Sequence, residues 1–321
     1  MAHELESMFY VSNEQNGRFV PWHGLGTSVS EALTSAEAIK VAGLDWTVES
    51  KPILTVEAKV INGFKANTRS TDGTVLGIVS DRYQIVQNSE AFDFTDSLIG
   101  SGVTYETAGS LKNGKRVWLL AKLPSRMILD DKFDPYICFT NTHDGLGAIK
   151  VCMTPIRVVC NNTLNVALSN AKRSWSTKHV GDIQTKMREA KATLLMANEY
   201  MSELAIKADE LANTKITEAQ IDQVLTEVFP VSEDDSDRKK RNVKELKDNF
   251  MACYFAPDIA KFIGTQWGVI NAMTDMVDHK IPKRATGTYA ENNWGRIIDG
   301  HITVDTTMLK LAALNKSTIQ I

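Results

Sequence analysis

The chain has 321 residues, 43% of them apolar and 23% charged, and a formal net charge of −3. That is length for two ordinary domains with a proper core, and it excludes wholesale disorder. No apolar run approaches the 18 residues of a membrane-spanning helix, and the first ten residues, MAHELESMFY, lack the bases of an export signal. Four dispersed cysteines (Cys138, Cys152, Cys160, Cys253) without a CxxC fit reduced thiols, so a cytoplasmic protein is expected.

In chain order, Thr34 and Glu37 form a capping box for a short helix over 34–43 that ends at Gly43. Strand-like runs follow at 45–49, 53–61 and 74–79. Asn88 or Ser89 then opens a helix that Gly100 stops. Asn113-Gly114 joins strands 103–110 and 115–123 in a hairpin, because this dipeptide tolerates positive φ. The hairpin also explains Gly109–Arg116 better than a phosphate-binding loop does, since Arg116 stands where a magnesium-binding hydroxyl is needed. A second strand pair, 136–142 and 147–153, is joined by His143–Gly147.

Thr154 as N-cap and Pro155 in the first turn predict an abrupt helix, with Ile156, Val159, Cys160, Thr163, Leu164, Ala167 and Leu168 on its apolar stripe. Ile183, Met187, Ala190, Leu194, Ala197, Met201, Leu204, Ala208 and Leu211 form a heptad seam, which predicts one helix of about 30 residues. Thr217 and Gln220 cap another helix. The acidic run Ser232–Asp237 against Arg238–Arg241 marks a charged loop over 231–242. Helices with a break near Pro257 fill 242–280, and a last amphipathic helix spans about 304–316. The fold class is therefore α+β: an antiparallel sheet with packed helices over 1–175, and a helical region over 176–321.

No histidine has metal-ligand spacing, no Gly-x-Ser-x-Gly elbow exists, and no cysteine carries a nucleophile motif, so no catalytic residue, metal or cofactor is expected. Trp22–Thr27 is a Gly-rich loop that could hold a phosphate, but the reading preferred is a tight turn made by the glycines with Trp22 packed. Residues 151–200 hold seven bases against three acids. Within them, Lys172-Arg173-Ser-Trp175-Ser-Thr-Lys178-His179 joins bases to an aromatic, and Arg157, Lys186 and Arg188 extend the charge. Bases grip phosphates and an aromatic stacks on an unpaired base, which is the recipe for a single strand. Arg82-Tyr83 repeats the pairing. The expected nucleic-acid site is thus Arg157, Lys172, Arg173, Lys178, Lys186, Arg188 and Arg82 on phosphates, Trp175 and Tyr83 on bases, and Asn161 and Asn162 on backbone or base edges. The competing reading is a solvated charged face with Trp175 in the core.

Val20–Thr27, Ala42–Trp46, Val79–Tyr83, Tyr105–Ser110, Thr154–Leu164, Gly264–Ala272 and Val277–His279, in this order, resemble the phage/plasmid-like group of domain-of-unknown-function family 932. The resemblance implies a gene of a bacteriophage or other mobile element and supplies no catalytic residue. The order of hairpins, helix and basic segment is also similar, in architecture, to phage single-strand annealing proteins, which assemble as rings or filaments. The expectation is a non-enzymatic single-stranded DNA-binding protein of the annealing type, acting in recombination or replication as a homo-oligomer, with no membrane partner. The alternatives are a counter-defence factor that binds a host protein, and an unrecognised metal- or nucleotide-dependent enzyme.

Overall fold

A computed structural model describes residues 5–11, 27–99, 104–157, 162–163, 174–194, 197–280 and 302–318. The chain is α+β, with sheets in its first half and helices in its second. It divides into two units. The first comprises residues 1–124, 135–153 and 172–197, and the second comprises 125–134, 154–171 and 198–321. The division is therefore not one cut near residue 175, because the segment after it still belongs to the first unit.

The first unit is built on antiparallel pairing. Strands β1 (Leu5–Val11), β6 (Thr104–Leu111), β7 (Arg116–Lys122), β9 (Asp131–Thr142) and β10 (Ile149–Arg157) run side by side, with β2 (Thr27–Val29) parallel to β1. A short β8 (Arg126–Ile128) pairs with Asp131–Phe133 at the start of β9, and both of these stretches belong to the second unit. The β6–β7 turn has φ of 57° at Asn113 and 81° at Gly114, the positive values its sequence predicts. Val117, Leu119 and Ala121 face the apolar core, yet Trp118 and Leu120 on the opposite face are buried too, as befits a central strand. At Gly109 an added Cβ would come within 2.4 Å of Ser7 O, so the approach of β1 to β6 requires glycine.

A separate sheet holds β3 (Val48–Leu54), β4 (Val60–Arg69) and β5 (Val75–Ser80), all antiparallel. Its boundaries differ from the expected strand at 53–61, because a hairpin turn falls there: Thr55 N donates to Lys59 O, and Ala58 has φ of 59°. The β-branched residues that mimic a strand interior, Val56 and Val60, are instead exposed at the end of a ribbon. Helix α1 (Ser35–Val41) is capped as predicted, with Thr34 N and Oγ1 both donating to Glu37 at 3.0 and 2.7 Å. Such a cap contributes about 1 kcal/mol. Helix α2 (Asn88–Ile99) starts at the predicted asparagine and buries Ala91, Phe92 and Phe94 in the core; Gly100 lies outside the described residues.

The helix expected from Thr154 is not there at its start. Thr154 and Pro155 continue β10, whose Arg157 pairs with Asn162 of β11 (Asn162–Thr163). The local cap signal loses because neighbouring strands supply the backbone bonds and Val151, Thr154 and Ile156 are β-branched. The rest of that stripe, residues 158–161 and 164–173, lies outside the described residues. The Trp175 segment is a strand as well: β12 (Ser174–Thr177) pairs antiparallel with Ile149–Cys152.

The heptad seam is shared between two helices, α3 (Ile183–Leu194) and α4 (Ala197–Asn213). Ile183, Met187 and Ala190 join the core of the first unit. Met201, Leu204, Ala208 and Leu211 are buried in the second. There α5 (Glu218–Val228) keeps the Thr217–Gln220 box, with Gln220 N donating to Thr217 Oγ1. The base block Arg238–Arg241 is no part of a loop; it forms the first turns of α6 (Asp237–Tyr254), capped by Ser236 and eased at its positive end by the Asp235–Lys239 pair at 2.8 Å. A 3-10 turn at Pro257–Phe262 leads to α7 (Gln266–His279), which is buried on nearly every side and packs on α6 and on α8 (Ile302–Thr318).

Candidate functional site

Within the first unit, the end of the β9–β10 hairpin gathers polar groups from four segments. Tyr83 and Val180 form an antiparallel bridge, Gln84 N donates to His179 O, and His179 Nδ1 donates to Gln84 O at 2.9 Å. A carbonyl can only accept, so the proton sits on Nδ1 and Nε2 of His179 keeps a lone pair; that nitrogen is buried with no partner. The Tyr83 ring stacks on His179 with centroids 4.5 Å apart, and its hydroxyl donates to Thr142 O at 2.5 Å.

His143 is fully buried beside this pair. Asn88 donates through Nδ2 to Leu44 O, which leaves its Oδ1 to accept from His143 Nε2 at 3.2 Å. Asn67 Nδ2 donates to His143 O, and the Trp46 ring meets the imidazole edge-on at 5.5 Å. Burial pushes the His143 pKa down to about 3, with His179 adding to the effect. Burial also lowers the pKa of His179, against the opposing pull of the Gln84 carbonyl and the Asp144 carboxylate. Both rings are therefore neutral at pH 7. Tyr83 is held well above the ordinary phenol range by burial and by Asp144.

A cleft of about 550 Å³ opens over this cluster. One side is β5, the other is the 144–148 turn, and Lys178, His179 and Val180 close the end. Glycine makes the fit possible: an added Cβ at Gly77 would sit 2.5 Å from Asp144 Cα, and one at Gly145 would sit 2.9 Å from Val79 Cγ1. The turn leaves Leu146 90% exposed, and Ile78 on β5 is 62% exposed. The cation set at this end comes from two distant parts of the sequence. Lys178 lines the cleft, Arg82 is exposed next to the Tyr83–Val180 bridge, and Lys186 donates to Val180 O at 2.6 Å. Asp144 lines the same cleft and Asp81 precedes Arg82, so the field there is mixed.

The predicted site residues are thus only partly brought together. Tyr83 and Lys178 line the cleft, with Arg82 next to Tyr83 in the chain and Lys186 bonded to Val180 O beside it. Arg188 turns away, donating to Thr185 Oγ1 and lining a different hollow with Glu90, Asp93 and Lys191. Trp175 is half-buried against the core, and Tyr83 is buried, so neither ring is open to a base. The exposed aromatic among the described residues of the first unit is Phe64, which the sequence reading missed; it pairs across the sheet with Ser80 at the cleft. Arg157 and Asn162 sit opposite each other in the β10–β11 pair, in the second unit. Asn161, Lys172, Arg173 and residues 22–26 of the Gly-rich loop lie outside the described residues. His179 and Leu146 were also missed. The legible signals were a histidine beside Lys178 and a large apolar residue between two glycines.

Among the described residues no group of three metal-ligating side chains comes together, and no helix is long and apolar enough to cross a membrane. The family model for a domain of unknown function, DUF932, matches residues 75–296. The chain belongs to the DUF932 family. The matched span starts at the first residue of β5 and takes in every side of the cleft, while Phe64 lies before it. No curated protein and no solved structure matches the chain.

Proposed function

We propose that this DUF932 protein binds single-stranded DNA, as an annealing-type protein of a phage or other mobile element acting in recombination or replication. One observation carries the reading. The bridge between Tyr83 and Val180 joins two base-bearing segments almost a hundred residues apart, so that Lys178 lines the cleft while Arg82 and Lys186 adjoin its walls at Tyr83 and Val180. Clustered cations at a groove bordered by exposed apolar side chains suit a flexible strand better than a rigid duplex. Self-assembly into a ring or filament belongs to the same reading, by similarity to annealing proteins.

The test is fluorescence anisotropy with labelled single strands and duplex at several salt concentrations. Arg82→Glu with Lys178→Glu is expected to weaken single-strand binding more than tenfold and to reduce the salt slope by about 0.7 for each phosphate no longer neutralised. A folded double variant that binds as wild type does would overturn the site. A second reading, capture of a host protein, is favoured by one feature: Leu54, Val56, Val60 and Ile61 are exposed together on the β3–β4 ribbon. Stoichiometric co-purification of one host protein, abolished by Val56→Ser, would support it.

A further inference from the structure

Residues 233–241, in the second unit, are four acids and then four bases, with Ser236 the one residue of another kind. Ser236 caps α6 and the bases form its first turns, where residues 237–242 are exposed on every side. No core packing explains why this stretch is helical. Local ties do: Lys239 pairs with Asp235 at 2.8 Å, and Lys240 donates to Glu233 O at 2.5 Å. These ties occupy both lysines. Among the described residues, Arg238, Arg241 and the carboxylates of Glu233, Asp234 and Asp237 make no hydrogen bond or ion pair, although Asp234 and Arg238, like Asp237 and Arg241, stand four residues apart. The bases left over are thus arginines, whose forked guanidinium suits carboxylates at protein interfaces, where lysine is depleted.

A partner of one sign does not fit this surface. A polyanion would be repelled by the acid loop and a basic chain by the arginines, since the two adjoin in the chain on one exposed protrusion. The two-fold image of the surface does fit, because it lays each acid loop on the other's arginines and so makes every contact twice. We infer that a second copy of this chain docks here, Arg238 and Arg241 of each against Glu233, Asp234 and Asp237 of the other. The inference rests on the self-assembly in the proposed function, gives it a surface, and does not depend on DNA. One exposed ion pair contributes little, so the contact works by number. It is also weakened by salt, which screens exposed charges.

Sedimentation velocity of nucleic-acid-free protein tests it with two charge-reversed variants, Arg238→Glu/Arg241→Glu and Glu233→Lys/Asp234→Lys. All four positions are exposed and lie outside the Ser236 cap and the Asp235–Lys239 pair, so both variants are expected to keep the wild-type Tm. Wild type should associate at low salt and dissociate as salt rises. Each variant alone should associate more weakly by about tenfold or more, since like charges then meet. Mixed in equal amounts, the two should associate as wild type does, because the acids of one then face the bases of the other. Association that either variant retains alone, or that does not return on mixing, would overturn the contact and leave self-assembly standing. A wild type that stays monomeric at every salt concentration would overturn self-assembly and the contact together.

Discussion

Two turns at one end of the same sheet use glycine to opposite ends. They are linked, since His143 N donates to Lys115 O at 2.7 Å. The β6–β7 turn is sealed. Arg69 lies over Trp46 at 5.0 Å, donates to Asn113 O and to Glu6 Oε1, each at 2.6 Å, and would sit 2.8 Å from a Cβ at Gly114. The β9–β10 turn is open. It leans on β5 through Gly145, exposes Leu146, and has His143 and His179 beneath it with one ring nitrogen each unpartnered. A turn covered by a guanidinium that bonds its carbonyl is a structural closure, even though Arg69 Nε is itself buried without a hydrogen-bond partner. The open turn instead carries its two unpaired ring nitrogens buried beneath an exposed rim.

The contrast can be broken most severely at the sealed turn. Arg69→Ala removes the guanidinium that satisfies Glu6 and Asn113 O, and should cost about 3 kcal/mol, because a carboxylate and a carbonyl lose their shared partner. Urea denaturation measures it; a loss below about 1 kcal/mol would show that the turn closes without Arg69. At the open turn, Gly77→Ala drives a Cβ into the Asp144 backbone and should cost about 2 to 3 kcal/mol, whereas Gly73→Ala, with nothing within 4 Å, should cost about 1 from its φ of 71° alone. Equal losses would deny the close approach of strand and turn.

Acid sharpens the comparison further. The folded pKa of His143 lies below its ordinary value of 6.5, so the unfolded chain takes up a proton that the folded chain refuses. Stability is complete above pH 6.5 and falls as pH drops toward 3. At about 1.4 kcal/mol per unit, His143 alone removes about 2 kcal/mol between pH 6.5 and 5, and His179 acts in the same direction. Denaturation at pH 7.5, 6.5 and 5 reads this slope, and a flat profile would mean that the imidazoles are solvated. The smallest effect belongs to Leu146→Ser, which should change stability by less than about 0.5 kcal/mol, since the side chain is nearly free of the protein. A larger loss of Tm would place Leu146 in the packing and not at a binding rim.

Local signals were readable in the sequence. Asn113-Gly114, the Thr34–Glu37 and Thr217–Gln220 boxes and the helix from Asn88 depend on neighbours within a few residues, and each forms where expected. Thr154-Pro155 carried an equally good local signal and misled, because its outcome is set by strand partners elsewhere in the sequence. The heptad seam was legible as a periodicity, but a period does not say which core each turn enters. The cleft was half legible. Its bases stood out by composition, whereas the stacking of Tyr83 on His179 and the packing of the 144–145 turn on Gly77 and Val79 exist only once the distant segments have met.

The division of the chain has a consequence for its synthesis. The two units take alternate stretches, exchanging at residues 124, 134, 153, 171 and 197. A ribosome must therefore deliver 197 residues before the first unit owns β12 and α3, and by then it has made two pieces of the second unit that wait for α4 to α8. No single stop codon or protease cut releases the first unit free of pieces of the second. Recombination of the gene at any point between residues 124 and 197 would break both, so the two units are expected to be inherited as a pair across that stretch.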